Sequence, residues 1–167
     1  MIDNKWFCEP NDQRETWCFL SLQTENIDRQ SIITGWQIGY GNPNTVNRVI
    51  NADSSSANDI LAGLFSEIYY CRRQGIKLVT YEENLLPILR THAVQAALSD
   101  ASLRGMHTIC IENLLQTYFE LGEFDPSDDG LLELCKKMVI ADNGATKIGM
   151  LHQILVRIGP LLPQGVI

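Results

Sequence analysis

Ser21, Gln23 and Glu25 alternate along one stretch of the chain. Side chains two apart on a strand point to one face. If a strand runs through them, they line up as a hydroxyl, an amide and a carboxylate. Tyr81 ends another β-favouring stretch, Glu83 and Asn84 follow it, and Asp142 lies in the break at residues 141–144 before the last helical pattern. The neutral groups among them can hydrogen-bond a base or a sugar, and a tyrosine ring can stack on one. Carboxylates gathered from several elements can hold Mg²⁺ or Mn²⁺, which take hard oxygen ligands.

Other chemistries find less support. Five cysteines, Cys8, Cys18, Cys71, Cys110 and Cys135, include no CxxC pair, and His92, His107 and His152 form no HxxxH or HExxH. A structural zinc site needs clustered ligands, so none is expected. No GxSxG or Walker loop occurs. His107 and Cys110 are three apart on a strand-like stretch and would face opposite sides. They read as a capping histidine and a core cysteine. His92, on the inner half of a helix, reads as a hydrogen-bonded, half-buried residue. An odd cysteine count without a signal peptide fits reduced thiols in the cytoplasm. No run of about 18 apolar residues exists to span a membrane.

Charge narrows the partners. Thirteen basic residues stand against 20 acids, a net charge of -7. Proteins that hold nucleic acid through phosphates are usually basic or carry a basic stripe. The densest basic pairs, Arg72-Arg73 and Lys136-Lys137, fall on helical stretches and read as solvated faces. At 167 residues the chain is one domain's length and can bury a core without disulfides or metals. Residues 1–12 read as a polar lead-in in which Trp6 and Phe7 dock. The apolar tail at 161–167 reads as docking on a partner or back on the domain.

Five strands and several helices must position these groups. Residues 16–22 are continuously apolar at their start, as in a central strand buried on both faces. Residues 32–40 and 45–50 flank the turn Gly41-Asn42-Pro43-Asn44 and predict an antiparallel hairpin. Ile60, Leu61, Leu64, Phe65, Ile68 and Tyr69 form one helix face, behind the capping-like pair Ser56 and Asp59 and ahead of Gly75 as C-cap. A fourth strand at 76–81 leads to a helix reaching about residue 98, with Pro87 in its first turn. A short strand at 107–111 runs directly into a helix around Leu114 and Tyr118. A helix around Leu131 and a last one from Ile148 to Ile158, ended by Gly159-Pro160, complete the chain. The expected architecture is α/β, with a mixed five-stranded sheet and helices on both faces.

That element order resembles the RNase H-like superfamily, and in particular the DnaQ-like 3′-5′ exonucleases and family-B DNA polymerase proofreading domains. Residues 19–24, Phe-Leu-Ser-Leu-Gln-Thr, match the stretch in which the family carries Asp-x-Glu. Residues 79–89 look similar to the family's fourth strand and the helix after it. The resemblance covers roughly residues 16–158 and implies a three-layer exonuclease-type fold with two metals about 3.5–4 Å apart. It places the first two acids at Ser21 and Gln23, the third at Asn84 or Leu85, and the fourth between Asp142 and Ile148, with Lys147 in register. At least three of the four are then not carboxylates. The implication is a catalytically inactive relative that needs no cofactor. It would serve as a binding or scaffold subunit in nucleic-acid processing such as replication or repair. Its partner would be another protein or a second copy, with weak single-strand binding at most and no membrane. Two alternatives stay open. One is an active exonuclease using Mg²⁺ or Mn²⁺ on displaced acids such as Glu25, Asp53, Glu82, Glu83 or Asp142. The other is a single-strand or nucleotide-binding module built on Ser21, Gln23, Tyr81 and Asn84.

Overall fold

A computed structural model describes residues 14–52, 56–82, 85–95, 103, 106–119, 128–138 and 146–167. The first strand, β1 (Trp17–Ile27), is the centre of the sheet. It pairs antiparallel with β2 (Gln30–Gly41), which pairs antiparallel with β3 (Val46–Asn51). On its other side β1 runs parallel to β4 (Lys77–Thr80), and β4 runs parallel to β5 (Thr108–Cys110). The order across the sheet is β3-β2-β1-β4-β5.

The first four residues of β1 are all buried, so each face of the sheet has its own core. Trp17 and Phe19 pack with Val79, Ile109 and the apolar sides of α3 (Ile111–Phe119), α4 (Asp128–Lys137) and α5 (Lys147–Ile158). Cys18 and Leu20 pack with Ile38, Tyr40, Leu78 and the apolar sides of α1 (Ala57–Gln74) and α2 (Leu85–Gln95). The expected mixed sheet with helices on both faces is therefore present. Each fully buried large side chain contributes about 1.5–3 kcal/mol of transfer free energy.

Local sequence explains most boundaries. Gly75 ends α1 at φ 68, a left-handed conformation that favours glycine. Ser56 occupies the N-cap position, but its side chain makes no capping bond there. The Thr146 hydroxyl accepts from the Gly149 N–H at 3.2 Å and caps α5. The first two strands extend further than the sequence predicts. They continue through residues 23–31 and close on Asp28 and Arg29, both at positive φ (51 and 64), the pattern of a type I′ turn. The other strands and helices begin or end within a few residues of their expected limits.

The turn between β2 and β3 is built on Asn42, which is fully buried. Its side-chain oxygen accepts from the Asn44 and Thr45 N–H groups at 2.8 and 3.2 Å, and its amide donates to the Arg14 carbonyl at 2.9 Å. Its own carbonyl accepts from His152 Nε2 of α5 at 2.9 Å. A carbonyl can only accept, so Nε2 carries the proton. His92, also buried, fastens the other helical layer: its Nε2 accepts from Ile33 N–H at 3.2 Å, and its Nδ1 donates to Ile88 O at 2.8 Å. The residues of the C-terminal tail divide. Leu162, Val166 and Ile167 pack on the core, whereas Leu161 is exposed. Trp6 and Phe7 lie outside the described residues. No helix among the described residues is long and apolar enough to cross a membrane.

Burial pushes the His152 imidazole below its ordinary range, against the pull of the Asn42 carbonyl. The unfolded chain takes up that proton near the usual pH of about 6.5, and the folded state resists it. Below that pH the unfolded state binds more protons, so stability falls as pH falls. His152→Gln keeps an N–H donor but cannot titrate. Denaturant midpoints measured at pH 7 and pH 5 are expected to fall less for this variant than for the parent.

Candidate functional site

The groups singled out on β1 sit where the sheet's layers thin. Ser21 follows two residues after Phe19 on the α5 face and is half-buried. Its cross-strand partner is Gln37, whose own partner is Asn51 on β3. The Gln37 amide donates to Asn51 Oδ1 at 2.8 Å. A row of neutral polar side chains therefore crosses three strands at this level. Gln37 and Asn51 were missed from sequence. No local pattern marks them, because only the cross-strand register brings them level with Ser21.

Gln23 comes next along β1 and lies over Gly35. A Cβ on Gly35 would overlap the Gln23 amide oxygen, so the missing side chain makes room for the glutamine. Gly39 does the same for α5: a Cβ there would overlap Ile148 Cγ2. The first turn of α5 is thereby seated close on β2. Strand β1 does continue through Glu25, which is exposed on the outer part of the hairpin.

The remaining groups come from the end of β4. Tyr81 is 1% exposed and its ring belongs to the core. Its carbonyl accepts from the Glu112 N–H at 3.0 Å and from the Cys110 thiol at 3.4 Å. A base has no open ring face to stack on, which corrects the role expected of Tyr81 in a binding cleft. Glu82 follows, and its carboxylate stands 4.0 Å from the Lys147 ammonium at the start of α5. Glu83, Asn84, Asp53 and Asp142 lie outside the described residues.

Hydrogen bonding by neutral groups is what the arrangement offers among the described residues, beside the Glu82 carboxylate that already faces a cation. Among the described residues, no three or more His, Cys, Asp and Glu side chains converge to hold a metal ion. Glu25 is exposed on the outer part of the β1–β2 hairpin, whereas the Glu82 carboxylate faces Lys147 at the start of α5. Carboxylates that share a metal pair must meet within a few ångströms.

The glycine positions can be tested directly. Gly39→Val forces a branched side chain into Ile148 and should cost about 1–3 kcal/mol, the usual penalty of overpacking. Chemical denaturation of Gly39→Val and of Gly39→Val/Ile148→Ala checks it, the double variant recovering part of the loss.

No family model matches this chain, and no match was found among curated proteins or solved structures.

Proposed function

We propose that this is an RNase H-like, exonuclease-type domain that does not cut nucleic acid. It acts as a binding or scaffold subunit in nucleic-acid processing in the cytoplasm, through a protein partner or a second copy. The observation that carries this reading is the face of β1 beyond Phe19. Where an exonuclease of the family would present two carboxylates, this strand presents the Ser21 hydroxyl and the Gln23 amide. The central β1, antiparallel to β2 and parallel to β4, supports the fold assignment.

Charge supports the loss of chemistry. Two divalent ions need concentrated negative oxygen. Lys147 instead brings a positive charge to this end of the sheet, and Glu82 is its partner. The nucleotide-binding reading loses its stacking ring to the core. Of the acids the displaced-acid nuclease reading could use, Glu25 is exposed on the outer part of the hairpin and Glu82 already faces Lys147; Asp53, Glu83 and Asp142 lie outside the described residues.

Labelled single-stranded DNA and RNA are to be incubated with the full chain and Mn²⁺, with Mn²⁺ titrated by calorimetry in parallel. No cleavage and no stoichiometric Mn²⁺ uptake are expected. Cleavage that disappears in Glu25→Ala, Glu82→Ala or Glu83→Ala would overturn the proposal.

A further inference from the structure

The outer face of α1 carries aromatic and basic side chains that the proposed function does not use. Tyr69, Tyr70, Arg72 and Arg73 lie in the last turns of the helix, and all four are exposed. Successive helix residues are turned by about 100°. Ile68 and Cys71 face the core, so the order around the outer surface runs Arg72, Tyr69, Arg73, Tyr70. The Arg73 guanidinium stands 5.7 Å from the centre of the Tyr69 ring. Past Tyr70 the row continues onto β3, an outer strand of the sheet. There the Arg48 guanidinium lies 5.6 Å from the Tyr70 ring and 4.0 Å from the buried Tyr40 ring. Cations and rings therefore alternate from Arg72 on α1 to Arg48 on β3.

Neighbouring groups hold the β3 end of this row in place. Glu15 accepts from Arg48 Nε and Nη2 at 2.6 and 3.0 Å, and from the Tyr70 hydroxyl at 3.3 Å. The Tyr40 ring meets the Tyr70 ring edge-on, with centroids 5.8 Å apart. Side chains fixed in advance lose less entropy when a ligand arrives. At the helix end, the Gly75 and Ile76 N–H groups close on the Arg72 and Cys71 carbonyls at 3.3 and 2.9 Å. The rings stay open to solvent, Tyr69 at 52% and Tyr70 at 38% exposure.

We propose that this face binds single-stranded nucleic acid, with bases stacked on Tyr69 and Tyr70 and phosphates on Arg72 and Arg73. Every base has a face that a tyrosine ring can stack on, and arginines beside the rings track the backbone. Charge agrees with that occupant. Glu15 is taken by Arg48, and the half-buried Glu67 accepts from the Tyr40 hydroxyl. Three arginines against these two carboxylates leave the row positive, on a chain whose net charge is -7. From sequence the Arg72-Arg73 pair reads as a solvated face. The structure adds the exposed rings between and beside the two arginines. A duplex keeps its bases stacked inside and cannot use these rings. The row belongs to the α1 side of the sheet, away from Ser21 on the α5 side, so the inference does not rest on the fate of the exonuclease cleft.

The test is fluorescence anisotropy of the full chain with a labelled twelve-nucleotide oligothymidylate and no divalent ion. Saturable binding is expected, and about sevenfold weaker binding when salt rises from about 50 to 200 mM, the loss that two phosphate contacts give. Tyr69→Ala should weaken binding at least about fivefold, the loss of one stacked base, whereas Tyr69→Phe keeps the ring and the affinity. Arg72→Ala/Arg73→Ala should lose affinity and flatten the salt dependence. Lys136→Ala/Lys137→Ala, on the exposed side of α4, should bind like the parent. Circular dichroism melts confirm that each variant is folded. The proposal fails if the parent does not bind, if a duplex of the same length binds as tightly, if Tyr69→Ala binds like the parent, or if the α4 pair loses as much as the α1 pair. Without a divalent ion the outcome is independent of the cleavage and Mn²⁺ assays.

Discussion

Everything in this domain hangs on β1 being buried on both faces. A strand pairs with neighbours on two edges and offers side chains to two sides. Residues 17–20 use all four directions: β2 and β4 on the edges, α3–α5 on one face, α1 and α2 on the other. That requirement explains why Trp17, Cys18, Phe19 and Leu20 are apolar without alternation. It also makes the strand's own continuation conspicuous. Beyond Leu20 the cover falls away step by step: Ser21 and Leu22 are half-buried, Leu22 still packing on the α1/α2 side, and Gln23, Thr24 and Glu25 are exposed.

Two polar anchors keep the layers in register. Asn42 satisfies the turn it sits in and offers a carbonyl to His152 in the opposite layer. A buried asparagine that met only the turn would leave polar atoms without partners in the core, at about 1–3 kcal/mol each. His92 spends both ring nitrogens to fasten α2 to β2 next to the irregularity in the β1–β2 pairing. The apolar contacts set how much the layers attract. These directional bonds set where they sit. Gly39 adds a third control, because only a missing side chain lets Ile148 and the start of α5 settle on the sheet.

The functional reading follows from the same geometry. The Glu82–Lys147 pair joins the segment after β4 to the start of α5, which packs on the face of the sheet that also carries Ser21 in the middle of β1. Among the described residues, what stands there is a hydroxyl, an amide and an ion pair. Such groups can bind and be bound, but they do not concentrate the negative charge that a pair of divalent ions needs.

By itself the sequence determined the elements and the central strand. An unbroken apolar start marked β1, the Gly-Asn-Pro-Asn turn marked the β2–β3 hairpin, and the apolar face from Ile60 to Tyr69 marked α1, although Tyr69 itself is exposed. These signals are local, since each comes from backbone preferences or from side-chain period within a few residues. It also placed Ser21, Gln23 and Glu25 on one face. Tertiary structure alone decided the rest. The turn at Asp28-Arg29 lacks the glycine that announces a type I′ hairpin, so packing and pairing had to reveal it. Tyr81 reads as an accessible aromatic until the α3–α5 layer closes over its ring. Gln37 and Asn51 join Ser21 only through strand register, and Lys147 meets Glu82 only because Gly39 seats α5 where it does. Contacts between residues far apart in the chain depend on the sum of all packing choices, and no local pattern encodes that sum.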